Sequence, residues 1–113
     1  MASLAPASLA PTPTKEEVLQ LMIATKDGDV SKVQYLLTNL DIDTKGPSDY
    51  PWFERTPLLV AVYNKRQDMV KMLLNKGADL KARDQYNMSA LGLAEYEGND
   101  DIISALINAG ANI

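Results

Sequence analysis

Thr56-Pro57-Leu58-Leu59-Val60-Ala61 is followed, 33 residues later, by Ser89-Ala90-Leu91-Gly92-Leu93-Ala94. The same offset carries Met69-Val70 onto Ile102-Ile103, Leu73-Leu74 onto Leu106-Ile107, and Gly77-Ala78-Asp79-Leu80 onto Gly110-Ala111-Asn112-Ile113. Small, apolar and polar positions agree through the unit without a gap. One unit of this kind cannot bury its own apolar face and does so only against a neighbour. A third copy lies upstream: Leu21-Met22-Ile23-Ala24 matches Leu58-Leu59-Val60-Ala61 at an offset of 37, and Val33 with Leu36-Leu37 follows at the same offset. The four additional residues fall between Thr38 and Arg55. The first unit lacks the Gly-Ala-Asp ending and has Leu40-Asp41-Ile42 in its place.

Each unit reads as two short helices and a turn. Thr14 with Glu17 three residues later makes a capping-box pattern. Thr56 caps the second unit, with Pro57 at the first helical position, where its missing N–H costs nothing; Ser89 serves the third. Lys26-Asp27-Gly28-Asp29 reads as an interhelical turn with Asp29 as the next N-cap. The second helices carry Val33, Leu36, Leu37; Val70, Leu73, Leu74; and Ile103, Leu106, Ile107, a spacing that places each set on one helical face. Gly77 and Gly110 supply the left-handed residue that ends these helices.

These residues resemble the ankyrin-repeat family, whose unit runs Thr-Pro-Leu-His-x-Ala, then a paired apolar helix, then Gly-Ala-Asp and a hairpin. The likeness is close through Thr56–Asp84, holds in the third unit with Ser89-Ala90 for Thr-Pro, and in the first unit covers the helical half. It implies an all-α solenoid of three helix–turn–helix units joined by β-hairpin-like loops, in repeats over about 15–50, 51–83 and 84–113. Met22, Leu59 and Gly92 stand where the family prefers histidine, so the ties between neighbouring turns are expected to be weaker. Three units are about the minimum for a stable stack, so marginal stability is expected. Asp100, Asp101, Ser104 and Asn108 give the last unit only partial polar cover.

Composition removes most chemistry. The chain has no cysteine and no histidine, so disulfides, thiolate sites, histidine triads and histidine-held zinc are excluded. A net charge of -4 argues against nucleic acid, which requires a basic field. Glu95, Glu97, Asp100 and Asp101 form an acidic group without calcium-loop spacing, read as a solvated turn. Residues 1–14, MASLAPASLAPTPT, hold no Lys or Arg, and their prolines break any apolar run, so they do not read as a signal or transit peptide. A flexible tail dispensable for folding is expected. No apolar run is long enough to span a membrane.

The resemblance implies a non-catalytic, intracellular module, cytoplasmic or nuclear, that binds another protein through its concave groove and hairpin tips. No metal, cofactor, small-molecule substrate, nucleic acid or membrane is expected. The rival reading is a structural piece that stacks end-on through its last repeat. The aromatics indicate where a partner would dock. Trp52 and Phe53 precede the Thr-Pro start, Tyr86 stands 33 residues after Phe53, and Tyr63 and Tyr96 are likewise 33 apart. Of the seven aromatics, Tyr35 alone is assigned to an outer helix. Aromatic and Arg side chains dominate interface hot spots, so the expected partner-binding set is Trp52, Phe53, Arg55, Tyr63, Arg83, Tyr86, Met88 and Tyr96. Arg55 and Arg83 near the hairpin tips favour a partner segment carrying carboxylates.

Overall fold

The computed structural model describes residues 14–46 and 55–111. The tail before Thr14, the connection 47–54 and the last two residues lie outside this description, as does the flexibility expected of the tail. The described chain forms six helices: α1 (Lys15–Asp27), α2 (Val30–Leu36), α3 (Pro57–Tyr63), α4 (Gln67–Asn75), α5 (Ala90–Glu97) and α6 (Asp100–Asn108). Each consecutive pair packs as a hairpin. α1, α3 and α5 then stack side by side as one layer, and α2, α4 and α6 as a second.

The caps expected from sequence are in place. Thr14 Oγ1 accepts from the Glu17 amide at 3.1 Å while Glu17 Oε1 accepts from the Thr14 amide at 2.9 Å. Thr56 Oγ1 accepts from the Leu59 amide with Pro57 in the first turn, and Ser89 Oγ accepts from the Gly92 amide. Asp29 and Asn99 cap α2 and α6. α4 has no side-chain cap; its N-cap residue, Arg66, instead sends Nε 2.7 Å to the carbonyl of Lys26 and ties the middle pair to the first. Each side-chain cap satisfies an otherwise orphaned amide, worth about 1 kcal/mol. Gly77 and Gly110 take positive φ of 87° and 104° just past α4 and α6, as expected.

The core runs through the junction of the two layers. Leu21, Leu58 and Leu91 occupy the same position of successive first helices, and Val33, Val70, Leu73 and Leu106 fill the second; all are buried. Met22 and Leu59, at the family's histidine position, are also fully buried. Burying one such side chain contributes roughly 1.5–3 kcal/mol. The expected face of the last helix is corrected in one respect. Ile102 and Leu106 are its buried residues, Ile103 is half-buried and Ile107 is exposed. The pattern of α6 repeats that of α4, but no described residue packs beyond it.

The two connections share a frame. The Gly46 amide donates to the Arg55 carbonyl at 2.9 Å, as the Asp84 amide does to Met88 at 3.1 Å. Arg83 and Ser89 form an antiparallel bridge. Asp41 and Asp79 each accept from the amide two residues on, at 2.8 Å, so Leu40-Asp41 takes the place of Ala78-Asp79 without the preceding glycine. Asp43 Oδ1 accepts from the Asp79 amide at 2.9 Å and links the two connections. The extra length of the first unit therefore lies between Gly46 and Arg55, where eight residues stand against three between Asp84 and Met88.

Candidate functional site

Tyr63 ends α3 and Tyr96 stands one residue before the end of α5, at equivalent positions of neighbouring helices. Both are exposed, at 46% and 81%, and Tyr86 in the second connection is 72% exposed. Aromatic rings left in water at related positions form a surface of the kind that partners cover. Tyr35 is on the outer helix α2 and is also exposed.

Tyr86 is presented by a loop with its own internal order. Asp84 is buried, and its Oδ1 accepts from the amides of Tyr86 and Met88, both at 2.9 Å, while its carbonyl accepts from Asn87 at 2.9 Å. Asn87 closes the turn at φ 64°, a left-handed conformation that asparagine tolerates better than most residues. The residues Asp84-Gln85-Tyr86-Asn87 carry turn chemistry, which is the sequence signal that marks Asp84 as the organiser. Asp84 stands outside the expected partner-binding set. Met88 is half-buried against the core.

Arg55 sits differently from its expected place at a solvent-facing tip. It is buried, its Nε lies 3.5 Å from Asp84 Oδ2, and its guanidinium carbon is 4.3 Å from the centroid of Tyr63. The physical reason is that Asp84 is itself enclosed and its negative charge requires a partner. At 3.5 Å the contact is an ion pair rather than a hydrogen bond, consistent with Arg55 Nε and Asp84 Oδ2 making none. Arg55 thus joins the two connections and supports one face of Tyr63, a contact worth about 0.5–1 kcal/mol. Arg83 is exposed, with Nη1 donating to the Asn87 carbonyl at 3.0 Å. Trp52 and Phe53 lie outside the described residues.

The structure therefore brings Arg55, Tyr63, Asp84, Tyr86 and Met88 into one linked group, with Tyr96 on the next helix. Lys65 reaches from the turn after α3 to Glu97 at 3.9 Å, and Lys26 pairs with Asp27 at 4.0 Å. Among the described residues no group of three or more metal-ligating side chains occurs, and no helix is long and apolar enough to cross a membrane.

A family described as ankyrin repeats, in three copies, matches residues 21–113. The Notch-regulated ankyrin repeat-containing protein of Xenopus tropicalis is 31% identical over 110 residues, covering 93% of this chain and 90% of its own length. The nuclear factor NF-kappa-B p105 subunit of Rattus norvegicus is 45% identical over 53 residues, 47% of this chain but 5% of its own. Human inversin is 33% identical over 93 residues, 82% of this chain and 8% of its own length. The chain thus spans nearly all of the first relative and a small part of the other two.

Proposed function

Because the chain belongs to the ankyrin-repeat family, whose members are in general protein-interaction modules, we propose that it is a non-catalytic intracellular adaptor, assembly factor, inhibitor or small subunit. It holds a partner protein across the face that carries Tyr63, Tyr86 and Tyr96. The observation that carries this reading is the exposure of all three rings, with the Tyr63 ring against the Arg55 guanidinium and the Tyr86 amide held by Asp84. Tyrosine offers a large contact area with few rotors to freeze. Trp52 and Phe53, which lie outside the described residues, precede Arg55 by three and two positions and belong to the same expected partner-binding set. Arg83 is the cation placed for a partner carboxylate, while Arg55 acts through Tyr63.

The test is the double change Tyr63→Ala with Tyr96→Ala. Partners captured from the native cell by the wild type are identified, and their affinity for the variant is measured. Truncating hot-spot aromatics costs about 2 kcal/mol or more of binding, a loss of about 30-fold, with the melt unchanged. A folded variant that binds as tightly as wild type overturns the reading.

A second reading, end-on stacking through the last helix pair, is favoured by Ile107, which is 52% exposed on α6.

A further inference from the structure

Following one position through the three helix pairs shows which side of the last pair is left open. Thr25 and Val62 are buried, and their equivalent Glu95 is exposed; Val33 and Val70 are buried, and Ile103 is half-exposed; Leu37 and Leu74 are half-buried, and Ile107 is exposed. These positions face the next pair in the stack. In the middle pair α5 and α6 pack there against α3 and α4. Beyond α6 no described residue does so. The open face is thus a continuation of the interface already formed twice within the chain, apolar on the α6 side and acidic on the α5 side.

Its charge decides what fits. No Lys or Arg follows Arg83 in the sequence. Glu95 is exposed and unpaired by any base of its own helix pair, Asp100 and Asp101 stand in the first turn of α6, and Glu97 is held by Lys65 of the preceding pair at 3.9 Å. A second copy docked end to end would set acid against acid, which is unfavourable. A second copy docked head to tail would bring up the opposite face of the stack. There Lys32 and Tyr35 replace Met69/Ile102 and Met72/Ala105, and Ile23 is left exposed. That face would put a lysine against Ile103 and Ile107, and an isoleucine against Glu95.

We propose that the Glu95–Ile103–Ile107 face docks an amphipathic basic helix of another protein, its aliphatic stripe on Ile103 and Ile107 and its Lys or Arg opposite Glu95. The occupant is a helix because helices cover the two equivalent faces within the chain. This rests on the end-on reading and supplies its partner class.

The probes are two synthetic peptides of about 18 residues, long enough for a stable amphipathic helix. They share one leucine stripe and are flanked by lysine in one and by glutamate in the other. Each is titrated into the full chain and followed by anisotropy and by amide shift mapping. The lysine peptide is expected to bind, to shift the amides of Glu95, Ile103 and Ile107, and to weaken as salt rises. Ile107→Asn, at an exposed position that leaves the fold intact, should weaken it by about tenfold or more, and Glu95→Gln by about threefold. Tyr63→Ala with Tyr96→Ala should leave it unchanged. Equal binding of the glutamate peptide, or self-association of the chain through Ile107, overturns the basic-helix occupant and leaves end-on docking standing. Shifts confined to the tyrosine face, or an unchanged Ile107→Asn, overturn both.

Discussion

The middle and last helix pairs carry nearly the same apolar pattern and meet opposite conditions. In α4, Val70 and Leu73 are fully buried and Leu74 is half-buried; in α6, Leu106 is buried, Ile103 half-buried and Ile107 exposed. A side chain in a stacked repeat is stabilised by what its neighbours supply, since stability in such arrays sums over units and nearest-neighbour interfaces. The middle pair has an interface on both sides, and the last pair has one among the described residues. Position in the stack, more than local composition, sets what each leucine is worth.

The largest expected effect follows from this. Leu73→Ala should cost about 4 kcal/mol and Leu106→Ala about 2–3 kcal/mol, within the usual range for buried leucine. A cavity walled on both sides relaxes less than one beside an open face. Urea denaturation of each variant measures the difference. If both lose the same amount, α6 is as well enclosed as α4 and the open end is an illusion.

The junction between the two pairs comes next. Asp84 accepts two amides of the second connection and faces Arg55 from the first. Asp84→Ala leaves those amides unpaired and Arg55 without its counter-ion, at a cost of about 2–3 kcal/mol. Asp84→Asn retains an acceptor for the amides and should lose about half as much. A loss below about 0.5 kcal/mol for the alanine variant would mean water replaces the carboxylate. Smaller again is the contrast between Leu74→Ala, expected at about 1–2 kcal/mol because it is half-buried at an interface, and Ile107→Ala, expected within about 0.5 kcal/mol of wild type. Thermal melts of the pair decide it, and a costly Ile107→Ala would show that its face is already covered.

Much of this architecture was legible in the residues. The period, the Thr14, Thr56, Ser89 and Asp29 caps and the Gly77 and Gly110 turns depend on local chemistry, and the structure has each of them. The family match over residues 21–113 agrees with the repeat assignment. The exposed Tyr63, Tyr86 and Tyr96 were also legible, since their spacing fixes their position in the unit. Arg55 was not. An arginine beside aromatics reads as an interface anchor, and its burial depends on Asp84, 29 residues away, a pairing that no local pattern specifies. The open end of the stack is legible in part, through the partial polar cover of Asp100, Asp101, Ser104 and Asn108, but the Ile103, Leu106, Ile107 spacing matches that of α4 and does not tell that Ile107 is the exposed member. The positive φ of Lys65 was hidden because nothing in Asn64-Lys65-Arg66 marks a left-handed residue.

That last residue gives the smallest effect. The turn inside each helix pair holds one residue at positive φ: Gly28 at 79°, Lys65 at 59° and Gly98 at 74°. For a side-chain-bearing residue this conformation costs about 1–2 kcal/mol, while glycine accepts it and loses about 0.4–1 kcal/mol more through the entropy of its unfolded chain. Lys65→Gly should therefore stabilise the protein by about 0.5 kcal/mol, or roughly 2–4 °C in Tm for a domain of this size. The lost Lys65–Glu97 contact, 3.9 Å long and on an exposed lysine, contributes little against that. Gly98→Ala is the mirror experiment. A Cβ there meets nothing within 4 Å, so its cost of about 0.5–1 kcal/mol is backbone strain alone. Lys65→Ala separates the two terms, since it removes the ion pair and keeps the left-handed backbone; it should change the melt by less than about 0.5 kcal/mol. If Lys65→Gly lowers Tm while Lys65→Ala lowers it equally, the lysine side chain rather than the backbone governs this turn, and the middle pair differs from the last by a contact instead of by strain.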